Sequence, residues 1–195
     1  MSGSGKDVKV VVLGLSSVGK SCLVHRCITN QFEHTVMTVG GTFSAKKMQV
    51  GNTEVVLGIW DTAGTERYES VNRSYYRRAK AAIICYDITN AVSLDKVTFW
   101  AEELTLNEPN IDIYIVGTKL DLIQEGERRV VQPRDVQTIA EKYQAMTFET
   151  SSKTGQGVQQ LLQAIAETYC RKYPNEVNNN NVNLSQSGAK SGGCC

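Results

Sequence analysis

Short runs of apolar, often β-branched residues alternate along the chain with longer amphipathic stretches. Val8–Leu13 is the first run, and glycines follow it; Val55–Trp60, Ala81–Tyr86 and Ile111–Val116 have the same character. A near-continuous apolar strand of this length suits a parallel sheet buried on both faces. Met146–Thr150 is a weaker sixth candidate. Thr42–Val50 and Glu54–Ile59 flank Gly51-Asn52-Thr53, which reads as a hairpin. Gly58, inside a strand pattern, weakens that strand or marks a close backbone approach. Helical patterns cover Lys20–Asn30, Val71–Ala79, Ser93–Asn107, Pro133–Tyr143 and Val158–Tyr173. Asn90 or Ser93 can cap the third, and Pro133, after Gln132, suits the first turn of the fourth. Strand–helix alternation predicts right-handed crossovers and a doubly wound α/β sheet, with the hairpin adding one antiparallel edge strand.

After Tyr173-Pro174 the pattern stops. Asn175–Cys195 is rich in Asn, Ser and Gly, with only Glu176 and Lys190 charged. It cannot bury enough apolar surface to offset its ordering entropy. The expected organisation is one domain over residues 1–174 and a flexible, low-complexity tail over 175–195. A length of 195 residues and an apolar content of 41% agree with one globular domain. Twenty-one basic against 20 acidic residues leave +1, so no bulk attraction to nucleic acid or an anionic membrane is expected. No run approaches the ~18 apolar residues of a membrane span. Val10–Leu15 is also too short for a secretory segment.

Six cysteines are the one compositional oddity. Without a signal segment a disulfide framework is not expected, and His25 and His34 offer no zinc spacing. Cys22, Cys27 and Cys85 lie among apolar neighbours and read as buried small hydrophobes. Cys194 and Cys195 are adjacent and follow Ser191-Gly192-Gly193, where packing gives them no role.

Gly14-Leu15-Ser16-Ser17-Val18-Gly19-Lys20-Ser21 matches G-x-x-x-x-G-K-S, directly after a strand and opening a helix. Such a loop turns successive backbone N–H groups toward phosphate oxygens, and the helix N-terminus adds partial positive charge. Lys20 neutralises the β- and γ-phosphates, and the Ser21 hydroxyl ligates Mg²⁺. Asp61-Thr62-Ala63-Gly64 follows another strand. An aspartate there holds Mg²⁺, usually through water, and the Gly64 N–H can approach a γ-phosphate because no side chain obstructs it. Thr118-Lys119-Leu120-Asp121 and Glu149-Thr150-Ser151-Ser152-Lys153 also follow strands, at the edge where open α/β sheets bind ligands. The Asp121 carboxylate can accept from guanine N1–H and its exocyclic amine. Adenine has no such donor pair, so Asp121 selects GTP over ATP. The stems of Lys119 and Lys153 can cover base and ribose.

These four motifs, in this order and spacing, resemble a small GTPase of the Ras superfamily, and more closely a Rab. Val39-Gly40-Gly41-Thr42-Phe43, Ile59–Gly64, Arg67-Tyr68, Tyr75–Ala79 and Tyr86-Asp87-Ile88-Thr89 are similar to Rab signature segments, and the resemblance covers about residues 7–173 plus the terminal Cys-Cys. It implies a six-stranded, mostly parallel fold and a monomeric GTP/GDP switch that hydrolyses GTP with Mg²⁺ and controls vesicle traffic. Gly14 through Cys22, Phe32, Thr38, Gly64, Thr118, Lys119, Asp121 and Ser151–Lys153 are the implied nucleotide contacts. Phe32 would lean on the guanine edge, and Thr38 would join Ser21 and Asp61 around the metal. Phe43, Trp60 and Tyr75 match the aromatic triad that Rab effectors read; without the resemblance they would be taken for core. Cys194 and Cys195 would carry two prenyl chains, since one alone binds membranes only marginally. Implied partners are an exchange factor, an activating protein, a prenylation escort, a GDP-dissociation inhibitor and effectors. The implied location is the cytosol and the cytoplasmic face of endomembranes.

Three departures are informative. Thr65 stands where switch II normally has the glutamine that orients the attacking water, which predicts slow intrinsic hydrolysis and a GTP-biased resting state. Thr118 replaces the asparagine of the base motif and cannot offer an amide to guanine N7, which predicts weaker affinity and faster exchange. Switch I is one residue shorter between Phe32 and Thr38 and has no tyrosine there. Thr65 and Thr118 together are similar to the atypical Rab branch numbered twenty-four, which implies autophagic and late endocytic membranes. Two other readings stay open: a permanently GTP-bound scaffold that hardly catalyses, and a P-loop ATPase or kinase, which Asp121 disfavours.

Overall fold

Alternate residues of the first apolar run pack on opposite sides. Val8, Val10 and Val12 join one buried cluster, and Val11 and Leu13 join the other. That period of two, with both faces apolar, makes this segment the middle of a sheet covered on both sides. The structure, a computed structural model, describes residues 6–35, 41–62 and 75–174. Their elements are β1 (Lys6–Gly14), α1 (Lys20–Thr29), β2 (Thr42–Val50), β3 (Thr53–Asp61), β4 (Ala81–Asp87) and α2 (Ala91–Asn107). Then follow β5 (Asp112–Thr118), α3 (Leu120–Gln124), α4 (Pro133–Tyr143), β6 (Met146–Glu149) and α5 (Val158–Lys172).

The sheet order is β2-β3-β1-β4-β5-β6. All neighbours are parallel except β2 and β3, which form the antiparallel edge hairpin with Phe43 opposite Trp60. This is the expected doubly wound α/β sheet. Leu23, Val24 and Cys27 of α1 pack with Leu161, Leu162 and Ile165 of α5 on one face. Val97, Trp100 and Leu104 of α2 pack with Val136 and Ala140 of α4 on the other.

Some boundaries differ from the sequence expectation. β1 and β5 run past their apolar cores to Gly14 and Thr118, because backbone pairing continues beyond them, Gly14 opposite Cys85 and Thr118 opposite Asp87. Of the two candidate caps for α2, Asn90 is the one used: its carboxamide oxygen accepts from the Val92 N–H at 3.1 Å. Ser93 lies inside the helix, fully buried, its hydroxyl donating to the Asn90 carbonyl at 2.6 Å. The short α3 has no counterpart in the expected helices. Of the helix expected over Val71–Ala79, residues 71–74 lie outside the described residues, and Tyr75 and Tyr76 are helical. The tail expected over 175–195 lies outside them too. Cys27 and Cys85 are buried as expected, and burial pushes each thiol up to about 12. Cys22 is not buried: it is only partly covered, because it faces a cavity. Among the described residues no helix is long and apolar enough to cross a membrane.

Burial of one leucine or isoleucine side chain contributes about 1.5–3 kcal/mol. Leu161, fully buried between α5 and the sheet, is a test of this face. Leu161→Ala should lower stability by about 2–5 kcal/mol. Urea unfolding at fixed nucleotide concentration measures it; an unchanged midpoint would contradict the packing.

Candidate functional site

The turn between β1 and α1 carries the first motif. Gly14 has φ +133°, and a Cβ there would lie 2.2 Å from the Cys85 carbonyl oxygen of β4. Only glycine can end β1 so close to its neighbour. Ser17 and Gly19 are left-handed, with φ 62° and 97°, so the loop over residues 15–19 curls back on itself. Lys20 is buried, and its Nζ donates to the Gly14 and Leu15 carbonyls at 2.7 Å each. No side chain caps α1 at Gly19, and a helix N-terminus carries the partial positive charge that favours an anion.

Asp61 ends β3 and is buried. Thr62 donates to the Val12 carbonyl at 2.6 Å and pins this exit against β1. Burial raises the Asp61 carboxyl above its ordinary range, opposed by a hydrogen bond from Ser21 and the charge of Lys20. Among the described residues, Oδ1 of Asp61 has no hydrogen-bond partner. A buried carboxylate oxygen without a donor is costly unless something else binds it. Beside a hydroxyl and a phosphate-type loop, the donor set fits a hard divalent cation such as Mg²⁺. Thr38, Gly64 and Thr65 lie outside the described residues.

A cavity of about 340 Å³ opens beside the loop. Gly19 and Cys22 supply its α1 side, Phe32 and His34 one wall, and Lys119, Asp121 and Leu122 another. Ser152 and Lys153 close it. Two linings, His34 and Leu122, were not expected from sequence; Leu122 could have been inferred from adjacency to Asp121. Phe32 meets His34 edge-on, with ring centroids 4.9 Å apart. Cys22 Sγ lies 3.3 Å from the Thr35 hydroxyl.

The polar residues of the cavity hold one another. Asp121 is buried and accepts from the Ser151 hydroxyl at 2.6 Å. Lys119 is left-handed, φ 62°, and its Nζ is 2.6 Å from Asp87 Oδ2. Asp87 Oδ1 also accepts from the Thr89 N–H at 2.8 Å and hydroxyl at 2.7 Å. Burial would push the Asp87 carboxyl up, but Lys119 and Thr89 outweigh it and hold it below the usual range. Asp87 therefore keeps its charge and its hold on Lys119 at neutral pH, losing both only as pH falls through that depressed value. Lys153 pairs with Glu125 at the surface, 2.6 Å away. Thr118 is buried, and its hydroxyl reaches the Val18 carbonyl at 2.5 Å and the Tyr86 carbonyl at 2.9 Å. One hydroxyl has one proton, so two carbonyls leave none for a ligand.

Two supports were missed by sequence reading. Arg129 holds Glu149, at the exit of β6, through bonds of 2.5 and 2.9 Å. Arg26 of α1 reaches the loop over residues 151–155. Neither lies in a recognisable motif, and each meets its partner only through the fold.

Phe43 and Trp60 pair at the hairpin edge, and Tyr75 packs against Gly41, two residues before Phe43. Phe43 is 55% exposed, which core packing would not produce. Its ring centroid is 5.2 Å from that of Trp60, and a Cβ on Gly58 would come 3.0 Å from it. Gly58 therefore marks a close approach, by a ring rather than by backbone. A Cβ on Gly41 would lie 2.5 Å from the Tyr75 ring, which packs on that glycine. Lys9 Nζ stands 5.5 Å from the Trp60 ring centroid. Cys194 and Cys195 lie outside the described residues.

The Ras family profile matches residues 9–171. "Ras-related protein Rab-24" of Dictyostelium discoideum is 58% identical over 196 aligned positions, 97% of each chain. "GTP-binding protein ypt5" of Schizosaccharomyces pombe is 42% identical, over 96% of this chain and 92% of its own. "Ras-related protein Rab-4" of Dictyostelium is 36% identical, over 94% and 87%.

Cys22 tests the cavity directly. Iodoacetamide should label Cys22 in the native protein, and excess guanine nucleotide should slow that labelling about tenfold or more, as burial of a reactive thiol does. Cys27 and Cys85 should stay unlabelled. Peptide mass spectrometry reads all three; labelling of Cys22 indifferent to nucleotide would separate it from the binding cavity.

Proposed function

The chain belongs to the Ras family as a Rab-type small GTPase, a GTP hydrolase, and on that premise we propose which residues run its switch and what their departures do to it. The observation that carries the reading is the cavity in which buried Asp121 stands beside the phosphate-type loop, with Thr118 joining the two halves. Guanine lies against Phe32 and between the stems of Lys119 and Lys153, with its N1–H and amine donating to Asp121. The phosphates lie in the loop Gly14–Ser21, where Lys20 exchanges its carbonyl partners for phosphate oxygens. Ser21 and Asp61, with Thr38, are the residues that would hold Mg²⁺, which when bound neutralises charge on the β- and γ-phosphates. Thr38 and Gly64 meet the γ-phosphate in the GTP state and release it after hydrolysis, so both switch loops follow the nucleotide.

Thr65 is too short to orient the attacking water through both a donor and an acceptor. Intrinsic hydrolysis is therefore slow and the resting state is biased toward GTP. Thr118 spends its proton on a carbonyl, so guanine N7 goes without a donor and exchange is fast. Residues 1–174 carry the switch, and the tail over 175–195 carries prenyl groups on Cys194 and Cys195. With a net charge of +1 and no basic cluster in the tail, attachment rests on those chains and on protein receptors. Effectors read Phe43, Trp60 and Tyr75. Exchange factor, activating protein, prenylation escort and GDP-dissociation inhibitor govern the cycle on the cytoplasmic face of endosomal or autophagic membranes. Thr65 also favours a second reading: a permanently GTP-bound scaffold that recruits effectors and hardly catalyses.

Displacement of a fluorescent GDP analogue tests the site. GTP should compete and ATP should not at about a thousandfold excess, since a binding site built on polar pairs rejects the unpaired analogue by ~10⁴. Asp121→Asn should erase that preference; equal competition by ATP would overturn the reading. Single-turnover hydrolysis tests the switch. Thr65→Gln should be about tenfold faster or more, the worth of ~1.4 kcal/mol in the transition state. Equal rates would remove Thr65 as the cause, and no turnover in either protein, with an activating protein present, would favour the scaffold.

A further inference from the structure

We propose that Arg26 is a positioning residue that braces both walls of the base cavity and sets how fast nucleotide leaves, an inference that rests on the nucleotide-site reading above. Arg26 lies on α1 and touches no reacting atom. Its Nε donates to the Ser152 carbonyl and its Nη2 to the Lys153 carbonyl, both at 2.5 Å. Its Nη1 donates to the Asn30 carbonyl at 2.6 Å. One planar guanidinium thus joins segments more than a hundred residues apart in sequence.

Each bond has a consequence at the cavity. Asn30 is the left-handed residue that ends α1, and its N–H returns to the Arg26 carbonyl at 3.0 Å. Two residues further on, Phe32 forms the cavity wall. On the opposite wall, peptide planarity carries the effect inward. A trans peptide points its C=O and N–H in opposite directions. With the Lys153 carbonyl turned to Arg26, the Thr154 N–H is turned away and donates to Ser151 Oγ at 3.0 Å. Ser151 in turn donates to Asp121 at 2.6 Å. Arg26 therefore orients a peptide, the peptide orients a hydroxyl, and the hydroxyl orients the carboxylate that reads the base. Arg26 also lies against Gly155, where a Cβ would be 3.9 Å from Nη1. Arginine suits the place: three of its nitrogens each donate to a different carbonyl, and the bonds are charge-assisted. Lysine, a single point charge, cannot span all three.

The experiment uses the full-length chain loaded with a fluorescent GDP analogue. Arg26→Ala should release it about tenfold faster or more, since a charge-assisted hydrogen bond is worth that much or more. Association should change little, and Arg26→Lys should restore part of the loss. A further readout separates positioning from mere stability. IDP lacks the exocyclic amine that Asp121 accepts, so the wild-type protein prefers GDP over IDP. Arg26→Ala should narrow that preference, because Asp121 is no longer held. Unchanged release, or faster release with an unchanged GDP-to-IDP ratio, would overturn the proposal. Should Arg26→Ala fail to fold, Arg26→Lys and Arg26→Gln carry the same two readings at smaller size. If the wild-type protein itself shows no preference for GDP over ADP, the nucleotide-site reading is what fails, and this inference with it.

Discussion

Strands β1, β3, β4, β5 and β6 run in one direction, and the middle of the sheet is buried on both faces. Inside such a sheet a buried polar side chain without a partner is costly. Chemistry is displaced to the carboxyl ends, where ladder hydrogen bonding stops and loops begin. Gly14, Asp61, Thr118 and Thr150 all stand at those ends. The crowding there is severe enough that β1 must end in a glycine against the Cys85 carbonyl. The position of the site follows from the direction of the strands.

Within the site, buried charge is matched group by group. Lys20 turns to loop carbonyls, Asp87 to Lys119 and Thr89, and Asp121 to Ser151. Asp61 is the exception: one oxygen is buried and without a donor among the described residues. Beside buried Asp87 and Asp121, which accept from neighbouring side chains, this exception marks where a cation fits. The polar side chains of the cavity are already held by neighbouring residues, which lowers the ordering cost of binding a ligand. Thr118 shows the compromise. Its single proton can strut the phosphate-type loop to the sheet or meet a ligand, and geometry commits it to the strut.

Most of the fold was legible because its physics is local. Apolar runs fixed the strands, Asn90 and Pro133 marked helix starts, and Gly14–Ser21 carried its own context of strand before and helix after. Cys22 misled because its neighbours in sequence are apolar while its neighbour in space is a cavity. The short helix α3 was missed because five residues are too few to show a period. Phe43 and Gly58 could be paired only once β2 lay across β3: a ring then fills the space a Cβ would take.

The sequence by itself determined the order of the strands and of the longer helices, the residue types at each strand end, and the glycine-rich loop Gly14–Ser21. These depend on residues near one another along the chain. Only the tertiary structure decided what Thr118 bonds to, that a buried oxygen of Asp61 lacks a donor among the described residues, that Arg129 holds Glu149 at the end of β6, and that Arg26 braces the loop after it. Arg26 and Ser152 lie 126 residues apart, and no periodicity or motif can relate them. Their contact exists because parallel strands bring distant loops to one edge, where a guanidinium finds the carbonyls that the sheet leaves unpaired.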